Sequence, residues 1–290
     1  MLVVTALITG LGLGSMYGLL ALGFHVTYAV SGTVNFAQGS SMMLGAVFAY
    51  VFAIRLGLPL PVACFIALGL CAVYGALVEL LAVRPFVRRG SNAWLMATVA
   101  LGIVADNTVL FTFGKEPRGF QMGWAQGGLD VAGIHVSYLQ ISIPVVGILL
   151  AGILNFYTKN TKSGKAMLAV VQNPEAARLM GINVPVAICA AFALSTALAG
   201  AAGILIAPLF NVNADMGTVF GLKAFAVAIL GGISSAWGVM LAGLLFGVVE
   251  ALITSLIGST YTQVLTFALV IVALAIVPNG LFGRAGVKKV

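Results

Sequence analysis

Three carboxylates, Glu79, Asp106 and Glu250, sit in or beside long apolar runs of this 290-residue chain. Burying such a group without a partner is costly, so each either bonds one helix to another or serves function directly. Asp106, followed by Asn107, lies deepest within its run. Other reactive residue types are sparse. There are two His, and His25 stands near the end of an apolar run, where packing or an interfacial position suits it better than a relay. The three Cys (Cys64, Cys71 and Cys189) lie inside apolar runs without metal-ligand spacing, which makes them small packing residues. The sequence has no HExxH or GxSxG pattern, so no catalytic residue and no metal set is expected. It also lacks GxxxxGK[ST], so the chain is expected neither to hydrolyse ATP nor to bind a cofactor itself.

Two polar breaks interrupt the apolar pattern. One is Thr33-Val34-Asn35-Phe36-Ala37-Gln38-Gly39; the other is Asn211-Val212-Asn213-Ala214-Asp215-Met216-Gly217. Irregular backbone cannot face lipid with its amides unpaired, so at depth it must face protein or a wet cavity. Asn35, Gln38, Asn211 and Asn213, together with Asp106 and Asn107, are therefore the candidate lining of a solute pathway. A plain surface loop is the competing reading of each break, and it weighs more for the second. Gly10, Gly12, Gly14 and Gly18 resemble a nucleotide loop only superficially, because no strand precedes them. Gly10, Gly14 and Gly18 instead form a small-xxx-small ladder that lets two helices approach closely.

The elements that must position these groups are set by residues 159–183, the longest polar-biased interruption on the basic side of the chain. It carries Lys159, Lys162, Lys165 and Arg178. Asn173 is a good N-cap, and Pro174 at the first helical position gives up only an amide that would lack a partner anyway. Glu175 then meets the positive end of the helix dipole, and Gly181 supplies the left-handed stop. The spacing predicts a helix of about two turns over residues 174–180, outside the bilayer, with Ala176, Ala177 and Met180 close together. Such a short, small-faced helix suits a groove on another protein, although an ordinary interfacial loop helix has the same pattern.

Composition makes this an integral membrane protein: 61% of residues are hydrophobic and 7% charged, with a mean hydropathy of +1.15. Strand alternation is not evident, so the spans are read as helices. They fall at about 2–24, 40–54, 60–83, 93–113, 139–156, 186–208, 239–256 and 263–277, with a weaker stretch at about 218–232 that is short or bent. The net charge of +7 resides in loops beside spans, which signals membrane orientation and not nucleic acid. Basic clusters at Arg84/Arg88/Arg89, at 159–178 and at Arg284/Lys288/Lys289 mark one side as cytoplasmic. Parity then gives about nine crossings (eight to ten), an outer N-terminus and a cytoplasmic C-terminus. The fold class expected is an all-α polytopic membrane protein, a single transmembrane domain over 1–290. Similar pieces at 74–81 and 246–252, and the two polar breaks, suggest an inverted repeat with broken helices, about 1–113 and 184–280.

The chain resembles the membrane permeases of branched-chain amino acid ABC importers. The resemblance is carried by Gly14-Ser15-Met16-Tyr17-Gly18-Leu19-Leu20-Ala21-Leu22-Gly23, by Val34-Asn35-Phe36-Ala37-Gln38-Gly39, by the Asn173–Gly181 segment with its Glu-Ala-Ala core, and by Leu222-Lys223-Ala224-Phe225 through Gly231-Gly232-Ile233-Ser234. It implies a bacterial inner-membrane permease working by alternating access. Its partners would be a second, similar permease (a heterodimer before a homodimer), two cytoplasmic ATPases that bind ATP and Mg, an extracytoplasmic solute-binding protein, and membrane lipid. Asn173, Pro174, Glu175, Ala176, Ala177, Arg178, Met180 and Gly181 would then couple to an ATPase. Permeases for urea and short amides resemble the same group. A self-sufficient channel or secondary carrier for a small neutral solute is the reading from another class.

Overall fold

The computed structural model describes residues 2–120, 127–131, 134–277 and 280–283. The helices are α1 (Leu2–Ser31), α2 (Gln38–Tyr50), α3 (Leu60–Val78), α4 (Arg84–Val87), α5 (Trp94–Phe113), α6 (Tyr138–Asn160), α7 (Lys162–Gln172), α8 (Pro174–Leu179), α9 (Val184–Ile206), α10 (Met216–Gly231), α11 (Ala236–Leu256) and α12 (Ser259–Ile276). Two π-helical turns extend them: Val51–Arg55 continues α2, and Glu79–Val83 joins α3 to α4. Among the described residues seven helices are long and apolar enough to cross a membrane; α2 and α10 are shorter apolar helices. The chain is a multi-pass all-α membrane protein.

Close packing of small residues builds its centre. On α1, Gly10, Gly14 and Gly18 face α11, and a Cβ on Gly10 would lie 2.6 Å from Val248 Cα. A Cβ on Gly14 would lie 2.7 Å from Leu244 Cα. With so little room, the two backbones themselves make the contact. α9 packs against α1, α2 and α3, with Gly200 and Gly203 set against the backbone of α2. α5, α6 and α12 lie at the periphery and show large apolar side chains outward, among them Phe111, Phe156 and Ile276.

The short helices have a different geometry. After Ser31 the chain folds back through 32–37, and α2 starts beside Ser195, midway along α9. After α9 it folds back through 207–215 before α10 starts. The two N-terminal ends overlap antiparallel: Gly39 lies against Gly217 and Gly221, and Gly217 lies against Gly39 and Met43. Each break and its short helix thus complete one crossing. Ser31, the 88–93 turn, the 161–183 segment and the α10–α11 turn share one face, hereafter the Arg84 face. They are joined by His25 Nδ1 to the Ile233 carbonyl at 2.7 Å and by Arg84 to the Pro185 carbonyl at 3.4 Å. Residue 281 also reaches this face, donating its amide to the Leu230 carbonyl. Arg284, Lys288 and Lys289 lie outside the described residues.

Three elements depart from the sequence expectation. α1 runs seven residues beyond position 24, because Thr27 and Ser31 return their hydroxyls to carbonyls one turn back and so stay satisfied inside a helix. The 114–137 loop, expected outside the membrane, carries a two-stranded antiparallel pair, Gly128–Val131 (β1) with Ile134–Ser137 (β2). Hydropathy windows of membrane length overlook so short a pair. Residues 159–183 are not one loop with one helix: α7 precedes α8, with Gly164, Met167 and Val170 buried and Lys162 and Lys165 outward.

Candidate functional site

Three groups of residues emerge, and they differ in how completely their polar atoms are satisfied. The first surrounds the crossing of α2 and α10. Asn35 and Gln38 are both fully buried. Asn35 Oδ1 accepts from the Ala37 amide at 3.0 Å. Gln38 Nε2 donates to the Ser195 carbonyl at 3.1 Å, and Ser195 Oγ donates to Gln38 Oε1 at 3.0 Å. This network pins the break to α1 and α9. The expectation that Asn35 and Gln38 line an open pathway therefore does not describe this conformation, in which both amides are used internally. Ser195, which the sequence reading did not single out, completes the network; a hydroxyl in the middle of an apolar helix was the available signal.

Asp106 borders a cavity of about 180 Å³ at this crossing, walled by Phe24, Phe36, Leu222 and Phe225 and by the first turns of α2 and α10. Its carboxylate faces the Ser40 hydroxyl, and its Oδ1 has no hydrogen-bond partner among the described residues. Asn107 does not join it. One residue on, Asn107 is turned 100° around the helix, exposed, with Nδ2 bonded to the Ile103 carbonyl of its own helix at 2.8 Å. Asn211 and Asn213 lie apart from both, on the face opposite Arg84. They edge an open depression with Asp215, while Val212 between them pairs its backbone with Arg118.

The second group joins α10 to α11. Lys223 Nζ lies 2.5 Å from Glu250 Oε1, with both residues buried. Glu250 Oε2 is buried without a hydrogen-bond partner among the described residues, and Tyr17 presents its hydroxyl to the same carboxylate. The pair floors an open cavity of about 640 Å³ bordered by the starts of α1 and α12 and the end of α11. Glu79 contrasts with it. Arg84 donates to Glu79 Oε1 at 2.9 Å and to Oε2 at 2.7 Å, so both carboxylate oxygens are occupied. This is a fork-on-fork pair that ties the π-helical turn to the start of α9.

The third group is α8. Asn173 Oδ1 accepts from the Glu175 and Ala176 amides, each at 3.0 Å, and Pro174 follows at the first helical position. Gly181 takes φ +83° and closes the C-terminus, with the Ile182 amide bonded to the Ala177 carbonyl at 3.0 Å. Of the three residues that the sequence reading placed close together, Ala177 is fully buried against the protein while Met180 is exposed. Glu175 and Arg178 are exposed and Ala176 half-buried. The outward apolar tip is Leu179, 90% exposed, with Met180 at 68%. Leu179 was missed because a helix this short offers too few turns to define a face.

The sequence matches the family described as Branched-chain amino acid transport system / permease component over residues 6–274. It is 32% identical to the high-affinity branched-chain amino acid transport system permease protein LivH of Escherichia coli, covering 97% of this chain and 96% of that one. It is also 32% identical to the corresponding BraD protein of Pseudomonas aeruginosa, covering 98% and 97%. A probable LivH of Methanocaldococcus jannaschii is 31% identical, covering 91% and 88%. A match this long, spanning both polar breaks, the Lys223–Glu250 pair and the α7–α8 segment, makes the chain a member of the branched-chain amino acid transport system permease family.

Proposed function

We propose that this permease is the membrane-spanning component of an ATP-driven importer for leucine, isoleucine and valine, with α8 as its contact to a cytoplasmic ATPase. The observation that carries the reading is the α8 tip. A helix this short does not hold itself together in water, yet here it is capped at both ends and projects Leu179 and Met180 into solvent from a basic segment. Two exposed apolar side chains on a rigid two-turn helix are what a groove on a partner would receive. The relatives named for branched-chain amino acid transport supply the solute. In this reading two ATPases bind ATP and Mg, and a second permease completes the pathway. A solute-binding protein delivers from the opposite face, and the Arg84 face is cytoplasmic in a bacterial inner membrane. Residues 1–113 and 184–280 act as inverted halves, a reading supported by the antiparallel overlap of α2 and α10.

ATPase closure would push α8 and, through the Arg84 to Pro185 contact, the base of α9. Movement of α9 would reach the Gln38–Ser195 network and change how the two breaks face the pathway. Leu179→Asp, on the exposed tip, is expected to abolish leucine uptake and ATPase co-purification while the chain still inserts. Wild-type uptake in that variant would sink the coupling role. Isolation of the native protein alone, with solute flux that needs no ATP, would replace the importer reading with a channel or carrier.

A further inference from the structure

We infer that the cavity above Lys223 and Glu250 binds the charged head of a zwitterionic amino acid, its carboxylate on Lys223 and its ammonium on Glu250. This rests on the importer reading above and adds to it the residues that take the solute.

The argument starts from what the ion pair leaves undone. Burying two charges is costly, and the cost is met only when the remaining donors and acceptors are also bonded. The Glu79–Arg84 pair meets that condition with both carboxylate oxygens occupied. The Lys223–Glu250 pair does not: Lys223 bonds Oε1, while Oε2 lies buried on a residue 8% exposed, with no hydrogen-bond partner among the described residues. The Tyr17 hydroxyl faces the same carboxylate but forms no hydrogen bond to this oxygen, and an ammonium group supplies the donors that it lacks. Lys223 has three N–H donors, of which one points to Oε1, so an incoming carboxylate finds donors in turn. A buried pair with a vacant acceptor is a poor structural clamp, but it matches a ligand carrying both charges on one carbon.

The surroundings fit the rest of such a ligand. Above the pair the walls carry the hydroxyls of Thr9, Thr254 and Thr262 beside the apolar Leu13 and Phe210. Among the described residues the wall carries no other ionisable group that would compete for the ligand's charges. At about 640 Å³ the cavity is roomy enough for an aliphatic side chain to lie on the apolar wall. Its rim is formed by Ser259 at the start of α12 and its floor by Lys223 within α10, so it leads from the face opposite Arg84 into the helix bundle.

The test uses the purified assembly of this chain with its co-isolating partners, without added solute-binding protein, and equilibrium binding of radiolabelled leucine. Isoleucine and valine should compete. Isoamylamine, which lacks the carboxylate, and isocaproate, which lacks the ammonium, should compete about tenfold or more weakly, as expected where a site's buried polar groups are left unpaired. Glu250→Gln and Lys223→Met should each weaken leucine binding by about tenfold or more. Glu250→Gln should also narrow the gap between leucine and isocaproate, a change that loss of a merely structural pair would not produce. Ser259→Trp, on the exposed rim, should block binding with the pair intact, and it carries the test if the charge variants fail to fold. Absence of leucine binding in the wild type, unchanged binding in the folded variants, or equal competition by isoamylamine and isocaproate would each overturn the site. ATP-driven leucine uptake that survives those results would leave the importer reading standing. Transport of urea and of no amino acid would remove both.

Discussion

The fate of each buried charge depends on its nearest neighbours more than on its depth. Glu79 and Glu250 occupy similar sequence surroundings, each preceded by valine near the end of an apolar run. Only Glu79 has an arginine five residues on, at a distance the π-helical turn lets the guanidinium close. Replacing Arg84 by Met would leave Glu79, only 2% exposed, as an uncompensated carboxylate. The expected loss is about 3 kcal/mol, near the low end for such pairs, because the Arg84 side chain is a quarter exposed and solvent takes up part of its role. It is read as earlier thermal unfolding of the purified chain in detergent. Adding Glu79→Gln to that variant should recover most of the loss, since no buried charge would then remain.

At the scale of elements, glycines decide which helices touch. Those of the α1–α11 seam have no room for even a methyl group, whereas Gly69 on α3 and Gly152 on α6 have nothing within 4 Å. Gly14→Val should therefore cost about 3 kcal/mol or more, because backbone and not a movable side chain stands in the way. Gly69→Ala should be neutral or stabilising by up to about 1 kcal/mol, from helix propensity alone. Equal melting temperatures for these two variants would refute the packing account of the seam. The same logic explains the short helices: α2 and α10 overlap through Gly39, Gly217 and Gly221, where any larger residue would force their first turns apart.

For the whole molecule, the two faces are chemically distinct. The Arg84 face holds the basic 88–93 turn, α7 and α8, while the opposite face holds the β1–β2 pair, the Arg118 to Val212 bridge and the mouth of the large cavity. In the importer proposed above the first face is the cytoplasmic one, as the positive-inside rule expects of basic loops. In intact cells a thiol reagent that cannot cross the inner membrane should label Asn211→Cys, and should label Arg89→Cys only after permeabilisation. The reverse pattern would invert the topology and remove α8 from contact with any cytoplasmic ATPase.

Much of this was legible in sequence because the bilayer imposes a coarse rule. Apolar length gives the spans, and Asn173-Pro174 with Gly181 marks both ends of α8, since each depends on neighbours within a few residues. Tertiary structure decided the rest. Whether Gln38 faces a cavity or Ser195, whether Ala177 points in or out, and that Lys223 meets Glu250 across two helices all depend on contacts between distant residues. An apolar run has nearly the same hydropathy on every side, so periodicity cannot reveal which face meets protein and which meets lipid. That choice belongs to the packing of small residues, and only the folded chain expresses it.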